Sequence, residues 1–116
     1  TLSSSSEASD VYKRQIYKNM KKVQPKQMDS VRETIDKLDR LLVELIGQRI
    51  VQIEQAAFIK GDRNLIVDEW RIEDVITKVR AAAKTHYVNP NLVEKVWRVL
   101  IDESIKHEFD VYDSNN

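Results

Sequence analysis

The 116 residues contain no cysteine, which excludes disulfide frameworks, thiolate nucleophiles and zinc–thiolate sites. The two histidines, His86 and His107, are too few for a metal cluster of the usual kind and lack metal-like spacing. Two glycines and two prolines leave little material for sheets with tight turns. No apolar run approaches a membrane span or a signal-peptide core, so no membrane contact is expected and the default compartment is the cytoplasm. Excess charge of one sign is missing as well. The 19 basic and 19 acidic side chains cancel, which argues against a general nucleic-acid binder. What remains is a chain one third charged, of a length that suits one domain. A helical chain this short buries only a thin core, and dimerisation is a common remedy.

Residues 1–27 differ in kind from the rest. They are serine-rich, then basic, with six cations (Lys13, Arg14, Lys18, Lys21, Lys22, Lys26) against Glu7 and Asp10 and no helical apolar period. This arm carries +4 and the remainder −4. A basic arm for nucleic acid or membrane is one reading; a disordered tail is the favoured one. A third is that "DVYKRQ" resembles the translated end of a transposon used in sequencing libraries, which would make residues 1–15 an assembly scar and Met20 or Met28 the natural start. The arm is therefore treated as a disordered or non-native tail outside a helical domain at 28–113.

From Met28 the pattern becomes helical. Val31, Ile35, Leu38, Leu42, Leu45, Arg49, Ile53, Ala56 and Lys60 recur at steps of four and three, the period of a helix seam. A first helix from about 29 to 60, capped by Asp29 or Ser30, would be about 48 Å long, more than a small monomer needs. "GDRN" at 61–64 breaks it, with Gly61 suited to a C-cap. The second helix is expected from an Asp68 cap to about Lys84, with Ile72, Val75, Ile76, Val79 and Ala82 inward. Asn89 followed by Pro90 signals the third, with Val93, Val96, Trp97, Leu100, Ile101, Ser104, Ile105 and Glu108 inward. Trp70 and Trp97 are read as packing residues near or on inward faces. "DVYDSNN" is expected to fray. The fold class is thus all-α: three helices, the first long enough to invite a partner helix.

The seams carry charges that a dry core does not tolerate alone. Arg49 and Lys60, eleven residues apart, return to the same face of the first helix with their Cα atoms about 16 Å apart. Both side chains can bend onto a small anion between them. Ser104 and Glu108, four apart, share one face of the third helix. For each residue singly a bland reading stands: snorkelling cations, or Arg49 pairing with Glu108. Taken together, and with Asp68 and Arg71 flanking the start of helix two, they suggest a polar pocket for a small dianion. Arg32 lies about 25 Å before Arg49, too far for one small ligand to touch both within one chain. In an antiparallel dimer of the long helices, Arg32 of one chain approaches Arg49 of the other.

The runs "VRETIDKLDRLLVELIGQR", "FIK", "VDEWRIEDVI" and "LIDES", with Glu108 beyond, resemble the all-helical chorismate mutases over about residues 29–109. The resemblance implies an intertwined homodimer with two active sites, each using the first helix of both chains. It implies the [3,3] rearrangement of chorismate to prephenate with no cofactor, no metal and no covalent intermediate. On this chain it makes Arg49, and Arg32 from the partner, holders of substrate carboxylates, the task that bidentate guanidinium groups suit. It makes Lys60 a donor to the ether oxygen and a carboxylate. Ser104 would assist one carboxylate, Asp68 would lie near the ring hydroxyl, and Arg71 would order the pocket. Glu108 falls where relatives place Gln or Glu against the ether oxygen. Arg49, Lys60 and Glu108 are therefore the expected catalytic set.

Two departures follow. Dedicated mutases usually carry Glu just after the Arg71 position, where this chain has Ile72. The related isochorismate-pyruvate lyases, which form salicylate and pyruvate, resemble it there. Lyase activity is the alternative, with Ile72 a substrate-contacting position in either case. Glu108 as a carboxylate would repel a dianion, so it must carry a proton to donate, a state burial favours. From another class, a non-catalytic helical dimerisation module whose seam charges set register competes with both.

Overall fold

The computed structural model describes residues 11, 13–15 and 25–116. The expected tail falls mostly outside these residues; of its described part, Val11 and Lys13–Gln15 are helical, and Pro25 onward belongs to the first long helix. Three helices follow in order: α1 (Pro25–Ile59), α2 (Glu69–Thr85) and α3 (Pro90–Asn115), with a single 3-10 turn at Arg63–Leu65 between the first two. No strand occurs among the described residues. α3 packs against both α1 and α2 and is the common wall of the bundle.

α1 begins earlier than the expected start near residue 29, so Asp29 and Ser30 lie inside it and cap nothing. Pro25 accounts for this: its fixed φ suits a first helical turn, where its missing N–H is no loss. At 35 residues α1 is about 52 Å long. It ends without the left-handed glycine anticipated at Gly61, which has no positive φ. The break is built by Asp62 instead, whose side chain accepts from the Asn64 N–H at 2.9 Å and caps the 3-10 turn.

Asp68 caps α2, accepting from the Arg71 N–H at 3.0 Å. That helix ends through Tyr87, whose φ of 57° is the left-handed value usually given to glycine. The Val88 N–H reaches back to the Ala83 carbonyl at 2.9 Å, the closing bond of a Schellman turn. Asn89 caps α3 by accepting from the Asn91 N–H at 2.9 Å, with Pro90 buried at the first helical position as expected. α3 does not fray at "DVYDSNN". Ser114, Asn115 and Asn116 each donate a side-chain hydrogen bond to the carbonyl four residues back, alongside the backbone bonds of the last turn.

The core is small. Ala57, Ile66, Ile76, Ala83 and Ile101 are its buried apolar residues. Ala83 rather than Ala82 faces inward, and Val96 is exposed. Trp70 is 76% exposed and does not pack inward; it sits about 120° around α2 from the buried Ile76. Trp97 is half-buried. The α1 seam divides in two. From Arg49 to Lys60 it is covered, with Arg49, Ile53, Ala56 and Lys60 half-buried and Ala57 buried. Ahead of that, Val31, Ile35, Leu38, Leu42 and Leu45 stand 43 to 58% exposed along the same face. Each such side chain, taken to full burial, would contribute on the order of 1 kcal/mol. One chain leaves that contribution unrealised.

Candidate active site

The covered half of the α1 seam, the start of α2 and the middle of α3 enclose a cavity of about 450 Å³. Arg49 and Lys60 enter from α1 and its end, Asp68, Arg71 and Ile72 from the start of α2, and Ser104 and Glu108 from α3. Seven of the eight residues expected at a site are thus brought to one cavity. The eighth, Arg32, is exposed and does not line it within the single chain. Helical spacing explains the convergence: each pair on one helix repeats after a whole number of turns, so a seam turned toward a neighbour turns its charges there too.

Two polar contacts organise the interior. Arg49 Nη1 donates to Ser104 Oγ at 2.8 Å, and the Ser104 hydroxyl donates to the Leu100 carbonyl at 2.6 Å. Ser104, 3% exposed, therefore fixes the guanidinium while its own proton is spent on the backbone. Lys60 Nζ lies 2.9 Å from Glu108 Oε2 and 3.3 Å from Oε1. The pairing of Arg49 with Glu108 considered from sequence is not formed; serine takes the arginine and lysine takes the glutamate. Glu108 is 5% exposed, and its charge is met by an ammonium rather than left to repel. An ammonium has three donors, so Lys60 retains hydrogen-bonding capacity for a ligand beside Glu108.

Burial first, and the nearby Arg71 guanidinium second, lower the pKa of Arg49. Arginine stays charged regardless, so the shift reports a half-buried cation facing another cation. Arg71 is itself engaged by Asp74 at 2.7 Å. Hydrogen bonds from Lys78 and then Arg71 hold the Asp74 carboxyl below its usual range. Three cations and two carboxylates line the cavity, leaving a net positive charge. An anion entering it relieves the Arg49–Arg71 repulsion.

Apart from Gln52, the remaining wall is apolar: Ile53, Ala56, Ile66, Ile72, Val75, Ile101 and Ile105. The sequence reading missed two wall residues. Gln52 is one helical step from the seam and carries no periodic signal; Ile66 lies in the loop, where periodicity says nothing. His107 was given no role, yet its Nε2 lies 2.9 Å from Glu54 Oε2, tying α3 to α1 outside the cavity. Among the described residues no three His, Asp or Glu side chains converge as metal ligands, and no helix is long and apolar enough to cross a membrane.

Among the described residues the fold is all-helical, and paired cations, a buried serine–arginine contact and a lysine–glutamate pair surround one small cavity suited to an anion. A family model described as chorismate mutase type II matches residues 31–109, and the chain belongs to that family. It is an isomerase of the chorismate mutase kind. Among curated proteins the search finds no significant match.

A bicyclic dicarboxylate that mimics the compact transition state should raise the melting temperature of the wild type, as ligand binding to the native state alone requires. Arg49→Ala and Lys60→Ala should each lose most of that rise. A thermal shift that survives in both variants would place the anion elsewhere.

Proposed function

We propose that this cavity binds chorismate and converts it to prephenate, with Arg49 and Lys60 acting on the substrate and Glu108 orienting Lys60. The observation that carries the reading is the placement of Arg49 and Lys60 on one wall of a single cavity, each held by a partner from α3. In the rearrangement the ether C–O bond breaks as a new C–C bond forms, and negative charge grows on the ether oxygen. Lys60 meets that charge with a donor positioned in advance, and the Glu108 carboxylate, 2.9 Å from Lys60 Nζ, holds that donor in place. Arg49 pairs with one carboxylate. Arg71 orders the entrance, Asp68 approaches the ring hydroxyl, and the apolar wall favours the folded conformer of the substrate.

The charge count supports a partner. The lining residues sum to +1, whereas chorismate carries two carboxylates. Arg32 from a second copy brings the sum to +2. A second α1 laid along Val31 to Leu45 would also cover the exposed half of the seam. The functional unit is then a homodimer with two shared sites. A cysteine-free chain acting on a small soluble dianion suits the cytoplasm, and 28–113 is its working domain behind an N-terminal extension.

The second reading is isochorismate-pyruvate lyase activity, favoured by one observation: Ile72 is half-buried and stands in the cavity wall where dedicated mutases usually carry Glu. Offering the purified protein chorismate and isochorismate separately distinguishes the two. Prephenate from chorismate is expected, with kcat/KM reduced by roughly two or more orders of magnitude in Arg49→Ala and Lys60→Ala. Salicylate and pyruvate from isochorismate, without prephenate, would establish the lyase, and no product from either would remove the enzyme.

Shared sites make a further outcome countable. Arg32→Ala and Arg49→Ala chains, each inactive alone, should regain about a quarter of wild-type activity when unfolded and refolded together, since half the dimers are mixed and one of their two sites is intact. No recovery would mean that both arginines do not serve one site from opposite chains.

A further inference from the structure

The segment from Lys60 to Asp68 joins α1 to α2 and contributes Lys60, Ile66 and Asp68 to the cavity. Its middle is a rigid unit. The Asp62 side chain holds the Asn64 N–H, the Leu65 N–H reaches the Asp62 carbonyl at 3.0 Å, and the Ile66 N–H reaches the Arg63 carbonyl at 3.2 Å. A rigid turn still needs to be fastened to the bundle, and Arg63 is the turn's side chain that bonds across to α3. Its Nε donates to Asp113 Oδ1 at 2.9 Å and its Nη2 to Oδ2 at 3.2 Å, a two-pronged pairing. The same guanidinium lies over the Phe109 ring, 4.4 Å from its centre. Phe109 follows Glu108 directly, and Asp113 lies one turn further along the same face of α3.

We propose that Arg63 is a positioning residue: its clasp on Asp113 and Phe109 holds the cavity-forming loop against α3 and keeps Lys60 aimed at the substrate ether. This rests on the proposed role of Lys60. The loop is tied to α3 twice, by Lys60 to Glu108 and by Arg63 to Asp113. A bound dianion draws Lys60 donors toward itself and weakens the first tie. The second tie is then what keeps the loop closed, so it matters most when substrate is present. Asp113 and Arg63 are both about half exposed, so the clasp adds little to global stability and acts on a local equilibrium between docked and undocked loop. If only the docked loop binds substrate, undocking raises the apparent dissociation constant by the inverse of the docked fraction. The hydrogen bonds from Arg63 hold the Asp113 carboxyl below its usual range, so the clasp persists into mildly acidic solution.

The test uses the full chain with Arg63→Ala, Asp113→Ala, and the exchanged pair Arg63→Glu with Asp113→Arg. Arg63→Ala should raise KM for chorismate roughly three- to tenfold with kcat within about twofold and little change in melting temperature. Amide exchange should accelerate at Leu65 and Ile66 and not in the middle of α2 or α3. Arg63→Glu alone should be worse than Arg63→Ala, and the exchanged pair should recover most of the lost affinity, a rescue that mere surface packing does not give. Unchanged exchange in Arg63→Ala overturns the clasp. Faster exchange with unchanged KM, or a fall in kcat that tracks a large loss of melting temperature, overturns the positioning role. If the wild type turns over neither chorismate nor isochorismate, the functional reading fails separately. Affinity for the bicyclic dicarboxylate then decides the clasp, by weakening in Arg63→Ala or remaining the same.

Discussion

A cation set into an apolar helix seam must find a partner, and that constraint shapes this molecule. Isolated burial of an arginine or lysine costs several kcal/mol. The chain meets the cost twice, at Arg49 with Ser104 and at Lys60 with Glu108, both partners drawn from α3. The two contacts differ in kind. Serine satisfies a donor without cancelling its charge, so Arg49 remains an unneutralised half-buried cation. Glutamate cancels Lys60, and the pair is held as a unit beside it. The result is a cavity whose polar groups are individually satisfied yet collectively short of negative charge.

The rest of the architecture serves that wall. α3 touches both other helices and supplies Ser104 and Glu108 to the cavity and Phe109 and Asp113 to the loop, so it acts as the template on which α1 and the Lys60–Asp68 loop are registered. Asp68 has two tasks, cap of α2 and member of the cavity wall. Arg71 lies in the first turn of the helix that Asp68 caps, and it is tied to Asp74 one turn further on. Local helix chemistry and site construction thus use the same side chains, and a change at either residue is expected to touch both.

α1 carries two different seams in one continuous helix. From Arg49 onward its face is covered by its own chain; before it, five aliphatic side chains face outward. A helix of 35 residues reaches well beyond the covered half of its seam, and its exposed stretch ends where the charged cavity begins. Arg32 lies on that exposed stretch, which connects the proposed second subunit to the missing positive charge. Both the apolar face and the charge deficit ask for the same thing.

Helical class, the three segments, the Asp68 and Asn89 caps, and the grouping of Arg49, Lys60, Asp68, Arg71, Ile72, Ser104 and Glu108 were readable from the chain, because helix period and capping are local properties that repeat every few residues. Less was readable at the ends, where Pro25 extends α1 and side chains of 114–116 extend α3. Trp70 was misread because a large aromatic at a helix start sits near several faces, and only packing shows which one is covered. Tertiary structure alone decided that serine and not glutamate meets Arg49, that Ile66 closes the wall, and that Arg63 reaches α3. These contacts join residues about fifty positions apart or lie in a loop without period, and no pattern along a chain encodes which of several compatible polar partners will come within three ångströms.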